Sequence, residues 1–221
     1  MRVIDFFDRG AALAPDRAFL VDDNGTRTYA QTRELSLDIA AALLAKDLGD
    51  ETKVAVYSPN AARAFECIIG LARAGATWVP VNARNAIDDN CYILNNTEAE
   101  VLFYHSSFAD NVAVIREQCA KLHTFVCIDR AEGQTPALLD WIAEHSQYRE
   151  SPDALLSAMD WPDRPDRLAL IIGSGGTTGA PKGVMLSSLN LETMISTWNL
   201  SMPSPEPPVH LVVAPMTHAA G

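Results

Sequence analysis

Residues 53–81 read KVAVYSPNAARAFECIIGLARAGATWVPV. The stretch opens on a short apolar run of strand length, Lys53–Tyr57, and closes on a second, Thr77–Val81. Between them Ala61, Phe65, Ile68, Ile69 and Ala72 fall at i, i+4, i+7, i+8 and i+11, the spacing of one helical face. Asn60 is placed to cap that helix and Gly75 to end it. A strand, an amphipathic helix and a strand in direct succession form a βαβ unit, whose crossover brings the two strands parallel.

The alternation continues in both directions. Upstream, Leu35, Ile39, Ala42 and Leu43 mark a helix over 30–47, with Gly49 as its stop. Asp22-Asp23-Asn24-Gly25 between the short runs 18–21 and 27–29 is a hairpin signal, and residues 3–13 form an opening helix. Downstream come a helix at 87–94, a strand at 100–105, a helix at 108–120 and a strand at 124–129. The predicted fold is α/β, a layered, mostly parallel sheet flanked by helices. A weak helix around Trp141 and the proline-bearing stretch SPDALLSAMDWPDRPDR (151–167) read as a surface connection. Residues 1–166 are thus expected to form an N-terminal α/β subdomain and 167–221 to start a second one. The latter holds a strand at 168–172 that begins or joins a second sheet, a Gly/Thr loop at 173–183, a helix at 187–200 and a strand at 209–214. Met194 and Trp198 on that helix, and Trp78, read as core residues.

Composition narrows the function. The 221 residues are 48% hydrophobic and 20% charged, ample for a core. Lys and Arg number 17 against 28 Asp and Glu, a formal net charge of −11. An acidic chain repels nucleic-acid backbones and anionic membranes, leaving small anions held at local basic sites. No apolar run approaches the ~20 residues of a membrane span, and MRVIDFFDRG, with Asp5 and Asp8, is not a signal peptide. Cys67, Cys91, Cys119 and Cys127 form no CxxC and do not cluster with histidines. Neither a disulfide framework nor a zinc site is predicted, and a reduced, cytoplasmic chain is the reading.

The chemistry concentrates in Ile172–Gly183, IGSGGTTGAPKG, which follows an apolar strand and is expected to lead into a helix. Gly173, Gly175, Gly176, Gly179 and Gly183 allow tight turns and close backbone approach to an anion. Ser174, Thr177 and Thr178 add hydroxyls, and Lys182 adds a charge. These are parts of a phosphate cradle. Three other glycine motifs fail. A Walker A loop needs Gly-Lys-[Ser/Thr], but Pro181 precedes Lys182 and Gly183 follows it. The dinucleotide fingerprint G-x-G-x-x-G breaks at Thr178 and lacks its downstream acid, and the hydrolase elbow G-x-S-x-G breaks at Ile172.

Gly176-Thr177-Thr178-Gly179-Ala180-Pro181-Lys182-Gly183 resembles the [ST]-[SG]-G-[ST]-T-G-x-P-K-G phosphate loop of the adenylate-forming, or AMP-binding, superfamily. That superfamily contains acyl-CoA synthetases, luciferases and peptide-synthetase adenylation domains. Residues 60–82, ending in Pro80-Val81-Asn82, are similar to its early helix and strand. Residues 209–221, ending PMTHAAG, are similar to its P-x-x-H-x-x-G segment. Gly175 stands where many members carry serine, a variant that resembles fatty-acyl ligases.

The resemblance implies a carboxylate–CoA ligase of fatty-acid type, using ATP, Mg2+ and CoA on a small carboxylic acid. It implies that Ser174, Gly175, Gly176, Thr177, Thr178, Gly179 and Lys182 hold the ATP phosphates, with Lys182 aiding catalysis. His218 would lie beside the acyl pocket and thiol tunnel. The other four histidines, His105, His123, His145 and His210, match no motif. The family's magnesium ligand, ribose aspartate, hinge and C-terminal lysine would follow Gly221. The chain is therefore expected to be an N-terminal fragment, inactive alone, with apolar surface that favours self-association. The alternative is a non-catalytic binding or interaction domain that keeps the fold.

Overall fold

The computed structural model describes residues 1–145, 159, 164–174, 182–204 and 206–217. Helices α1 (Val3–Leu13), α2 (Tyr29–Leu44), α3 (Ala62–Arg73), α4 (Ile87–Asn96), α5 (Ala109–Gln118), α6 (Leu138–Glu144) and α7 (Ser188–Ser201) surround two sheets. The hairpin β1 (Ala18–Asp22) and β2 (Gly25–Thr28) forms one sheet. The other has six strands, β3 (Lys53–Tyr57), β4 (Thr77–Val81), β5 (Val101–Tyr104), β6 (Thr124–Cys127), β7 (Leu168–Ser174) and β8 (Lys182–Ser187), ordered β6-β5-β3-β4-β7-β8. All neighbours pair parallel except β7 with β8. The protein is α/β, with helices on both faces.

Alternation along β3 explains its unbroken apolar run. Val54 and Val56 face one core with Ile39, Leu43, Cys67 and Leu71, while Ala55 and Tyr57 face the other with Leu94, Val112 and Ile115. A parallel strand covered by helices on both faces has no solvent side to mark in its sequence. Helix α3 uses more than the single face its spacing predicts. Ala64, Cys67, Ile68 and Leu71 join the core that contains Val54 and Val56, and Phe65 and Ile69 meet Ile4, Phe7 and Phe19 of α1 and the hairpin.

Gly70 sets how closely α2 and α3 approach. A Cβ there would stand 2.5 Å from Ile39 Cγ2 and 2.6 Å from Ile39 Cβ, and Ile39 is fully buried. Alanine gains about 1 kcal/mol of helix propensity but overpacks by about 1–3 kcal/mol. Both contacts involve the branched end of a buried side chain, so overpacking should win. Gly70→Ala is expected to lower stability by about 1–2 kcal/mol in urea titration, and an unchanged midpoint would refute this packing argument.

Several local expectations are corrected. The left-handed residue after α2 is Asp47 (φ 56°), whereas Gly49 lies close to its neighbours, a Cβ there standing 2.7 Å from Leu44 Cδ2 and 3.2 Å from Ala74 O. Gly75 (φ 77°) does end α3. Asn60 does not cap α3: the Ala62 N–H donates to Asp22 Oδ2 of the hairpin at 2.9 Å. That bond, foremost, holds the Asp22 carboxyl below its usual range. A depressed folded pKa adds stability above the unfolded value, about 3.9, and loses it as pH falls through the folded one. Asp22→Ala should therefore cost about 1 kcal/mol at pH 7, with the gap to the parent closing in denaturation series run towards pH 3.

The strand at 168–172 joins the first sheet rather than a second one. Leu170 pairs with Trp78, and the Thr77 hydroxyl donates to Leu168 O at 3.0 Å. Buried Arg167 reaches Gly75 O at 2.6 Å and Asp50 at 2.8 Å. Residues 209–214 are not a strand: Val209, Leu211 and Val213 are largely exposed. Strand structure needs a partner ladder, and no described strand pairs with this segment. Met194 and Trp198 are exposed at 61% and 55%, not core, while Trp78 packs against the buried cluster.

Candidate functional site

In open parallel sheets, ligands bind beyond the carboxyl ends of the strands, where the chain reverses its winding direction. Here β4 lies on one side of β3 and β5 on the other, so the reversal falls between β3 and β5. Ser58–Asn60 leave β3 at that edge, Asn82 leaves β4, and His105–Ser107 leave β5. Strand β7 runs in the same direction, so Gly173 and Ser174 reach the same edge.

The glycine-rich loop stands on a hairpin. Gly173 pairs with Gly183 and Ser174 with Lys182, so Lys182 faces Ser174 across the loop's base. The sequence reading put a helix directly after this loop; the structure puts β8 there and starts α7 at Ser188. Its start is fixed by Ser187, whose Oγ accepts the Asn190 N–H at 3.3 Å while Asn190 Oδ1 accepts the Ser187 N–H at 2.9 Å. The α7 dipole therefore acts at Ser187, not at Lys182.

Two of the motif's glycines stand close to neighbouring side chains. A Cβ at Gly183 would meet Ile171 Cγ2 at 2.9 Å, and one at Gly173 would meet Ile93 Cδ1 at 3.0 Å. The candidate residues Gly175, Gly176, Thr177, Thr178 and Gly179, and also His218, lie outside the described residues. Of the candidate set, the described part is the backbone of Ser174 and the exposed Lys182.

Asn60 was missed as part of this edge. Its Nδ2 donates to Val212 O at 3.2 Å and Ala214 O at 2.9 Å, and its Oδ1 accepts the Met216 N–H at 2.8 Å. The segment leading to His218 is thus tied to the end of β3. Strand β7 is two strand spacings away, roughly 10 Å. The only sequence signal was an amide following a strand, which reads equally as a helix cap.

His105, which matches no motif, also stands here. Its Nδ1 accepts the Ser107 N–H at 3.1 Å and lies 2.9 Å from Ser107 Oγ. Its Nε2 is 3.7 Å from Asp129. Asp129 accepts the Ser106 N–H at 2.8 Å and hydroxyl at 2.6 Å. Burial raises the Asp129 pKa, but the Ser106 bonds outweigh it and hold the carboxyl below its usual range. These contacts serve to cap the turn into α5 and fasten it to the end of β6.

The four cysteines are buried and unpaired, and burial pushes the Cys119 thiol up to about 12. Among the described residues no group of three or more His, Cys, Asp or Glu side chains is placed to hold a metal ion. Nor, among them, is any helix long and apolar enough to cross a membrane.

Residues 7–221 match the family model described as AMP-binding enzyme. The chain is 32% identical over 190 residues to the medium-chain acyl-CoA ligase Mig of Mycobacterium avium, covering 79% of this chain and 33% of that one. It is 26% identical over 234 residues to a 3-oxocholest-4-en-26-oate–CoA ligase of Rhodococcus rhodochrous, covering 99% and 41%. The fold superposes on the crystallised N-terminal domain of FACL13 from Mycobacterium tuberculosis with a TM-score of 0.79 at 24% identity, covering 99% of this chain and 52% of that one. The chain spans about a third to two fifths of the length of these curated relatives.

Proposed function

The chain belongs to the AMP-binding enzyme family, and from that premise we propose that it supplies the phosphate-binding N-terminal part of a ligase joining a carboxylic acid, of fatty type, to CoA. The observation that carries the reading is the β7–β8 hairpin, which pairs Lys182 with Ser174 at the carboxyl edge of the parallel strands.

A carboxylate is a poor acyl donor because its leaving group would be oxide. In the proposed reaction its oxygen attacks the α-phosphorus of ATP, the bond to the bridging oxygen breaks, and pyrophosphate leaves with those electrons. The thiol sulfur of CoA then attacks the acyl carbon, AMP departs and the thiol proton is released. Charge builds on pyrophosphate in the first step, so fixed donors around it lower the barrier. In this chain Lys182, Ser174, Thr177, Thr178 and the backbone of 175–179 would hold the β- and γ-phosphates. His218 would border the acyl site. Magnesium, when bound, neutralises phosphate charge, but the described residues offer it no cluster of ligands, so no step is assigned through it here. The cytoplasm, which supplies ATP and CoA and suits four unpaired thiols, is the proposed compartment. Residues 1–166 and 167–221 remain our proposed subdomain division, with the two parts sharing one sheet.

The test is acid-dependent ATP–pyrophosphate exchange and acyl-CoA formation by the protein at its natural length, against fatty and aromatic acids. Exchange with medium- or long-chain acids is expected. No exchange with any acid, alongside retained ATP binding, would favour the non-catalytic binding domain. We also propose self-association. Edge strand β8 exposes Val184 and Met185, and α7 exposes Leu189, Met194 and Trp198. Sedimentation of the 221-residue chain should show a concentration-dependent rise in mass that Met194→Glu with Trp198→Glu abolishes, and a monomer at all concentrations would refute it.

A further inference from the structure

The chain is open to solvent along 209–213, where Val209 is 93% and Leu211 87% exposed. It turns inward immediately afterwards: Met216 packs against the core that contains Val54 and Val56, and Thr217 is buried. Between the two stands one side chain from a distant part of the sequence. Asn60 spends both sides of its carboxamide on this segment, the amide nitrogen on Val212 O and Ala214 O and the oxygen on the Met216 N–H. It is available because Asp22 has taken the N–H of α3 that Asn60 would otherwise cap.

Side-chain chemistry singles out asparagine here. Only an amide offers two N–H donors and an acceptor from one planar group, which suits two carbonyls and one N–H of a passing backbone. Aspartate keeps the acceptor and sets a charge against the carbonyls; alanine keeps nothing. On either side of this clamp in sequence, Ser58 Oγ and Thr217 Oγ1 are buried with no hydrogen-bond partner among the described residues.

We propose that Asn60 is a positioning residue of the ligase site, its carboxamide fastening residues 212–216 to the end of β3 and so setting the course of the chain through Thr217 towards His218. The proposal rests on the ligase reading given above. It assigns Asn60 no contact with substrate; it acts through the backbone it holds.

The test has two arms. In the first, amide hydrogen exchange is followed in the parent, Asn60→Ala and Asn60→Asp. Protection of the Met216 amide is expected to fall at least tenfold in Asn60→Ala and by less in Asn60→Asp, which keeps the acceptor of the Met216 N–H but loses both donors to Val212 O and Ala214 O, with the amides of Val54–Val56 unchanged in both as the check on folding. In the second, the protein at its natural length is assayed for acid-dependent pyrophosphate exchange. Turnover is expected to fall roughly tenfold or more in both variants, with the KM for ATP unchanged, because the loop on β7–β8 is untouched. Unchanged exchange at 212–216 overturns the proposal whatever the activity. Loosening with full turnover overturns the role in the site, since the clamp would then be structural only. Loosening in a protein whose parent shows no turnover leaves the clamp standing and overturns the ligase reading instead.

Discussion

Replacing Lys182 by alanine in the protein at its natural length is expected to slow acid-dependent pyrophosphate exchange tenfold or more, with little change in stability. The first part follows from charge. Hydrogen bonds to charged groups are worth about 1.5–3 kcal/mol where water is partly excluded, and each 1.4 kcal/mol is a factor of ten. Negative charge grows on pyrophosphate as it leaves, so the contact strengthens towards the transition state and its loss should appear in turnover. The second part follows from position. Lys182 is exposed at the first residue of an edge strand, where substitutions usually shift stability by no more than about 0.5 kcal/mol. Lys182→Arg keeps the charge but changes its geometry, and should retain more activity than alanine. An alanine variant with the parent's turnover and ATP dependence would remove Lys182 from the site.

The sequence and the structure agree best where periodicity is strong and buried. Strands β3, β4, β5 and β6 are plain in the sequence because each is a short apolar run between helical patterns. Strand β8 was not legible. Its apolar stretch is only Val184-Met185-Leu186, wedged between a glycine loop and a helix, and pairing with β7 is what makes it a strand. The error at 209–214 runs the opposite way: alternating valines and leucine promise a strand, but no described strand edge accepts them. Both cases have one cause, since strand structure depends on a partner that the local sequence does not contain. The phosphate loop was readable as a motif, yet its setting was not, because a loop on a hairpin and a loop before a helix share the same residues. Asn60 shows the same limit for a side chain. An amide after a strand is a cap by local rules, and only the folded chain shows Asp22 doing that work and Asn60 holding residues 212–216.

A polypeptide of residues 1–221 alone is expected to release no pyrophosphate above background with any carboxylic acid, even where the protein at its natural length does. This polypeptide matches about a third to two fifths of the length of relatives named as acyl-CoA ligases. Its described candidate phosphate contacts, the backbone of Ser174 and Lys182, lie on one hairpin. Adenylation needs positive charge and donors on more than one side of the triphosphate, and contacts from one side alone leave the ATP tail in water, where each is screened. The chain's own field opposes binding as well, since a net charge of −11 repels a polyanion. ATP affinity measured by calorimetry on this polypeptide should accordingly be weak, and weaker still at low salt, where repulsion is least screened. That salt dependence separates the argument from simple misfolding, which would abolish binding at every ionic strength. Turnover by residues 1–221 with any fatty or aromatic acid, in a preparation free of other ligases, would show that the hairpin and the edge around Asn60 already make a complete adenylation site.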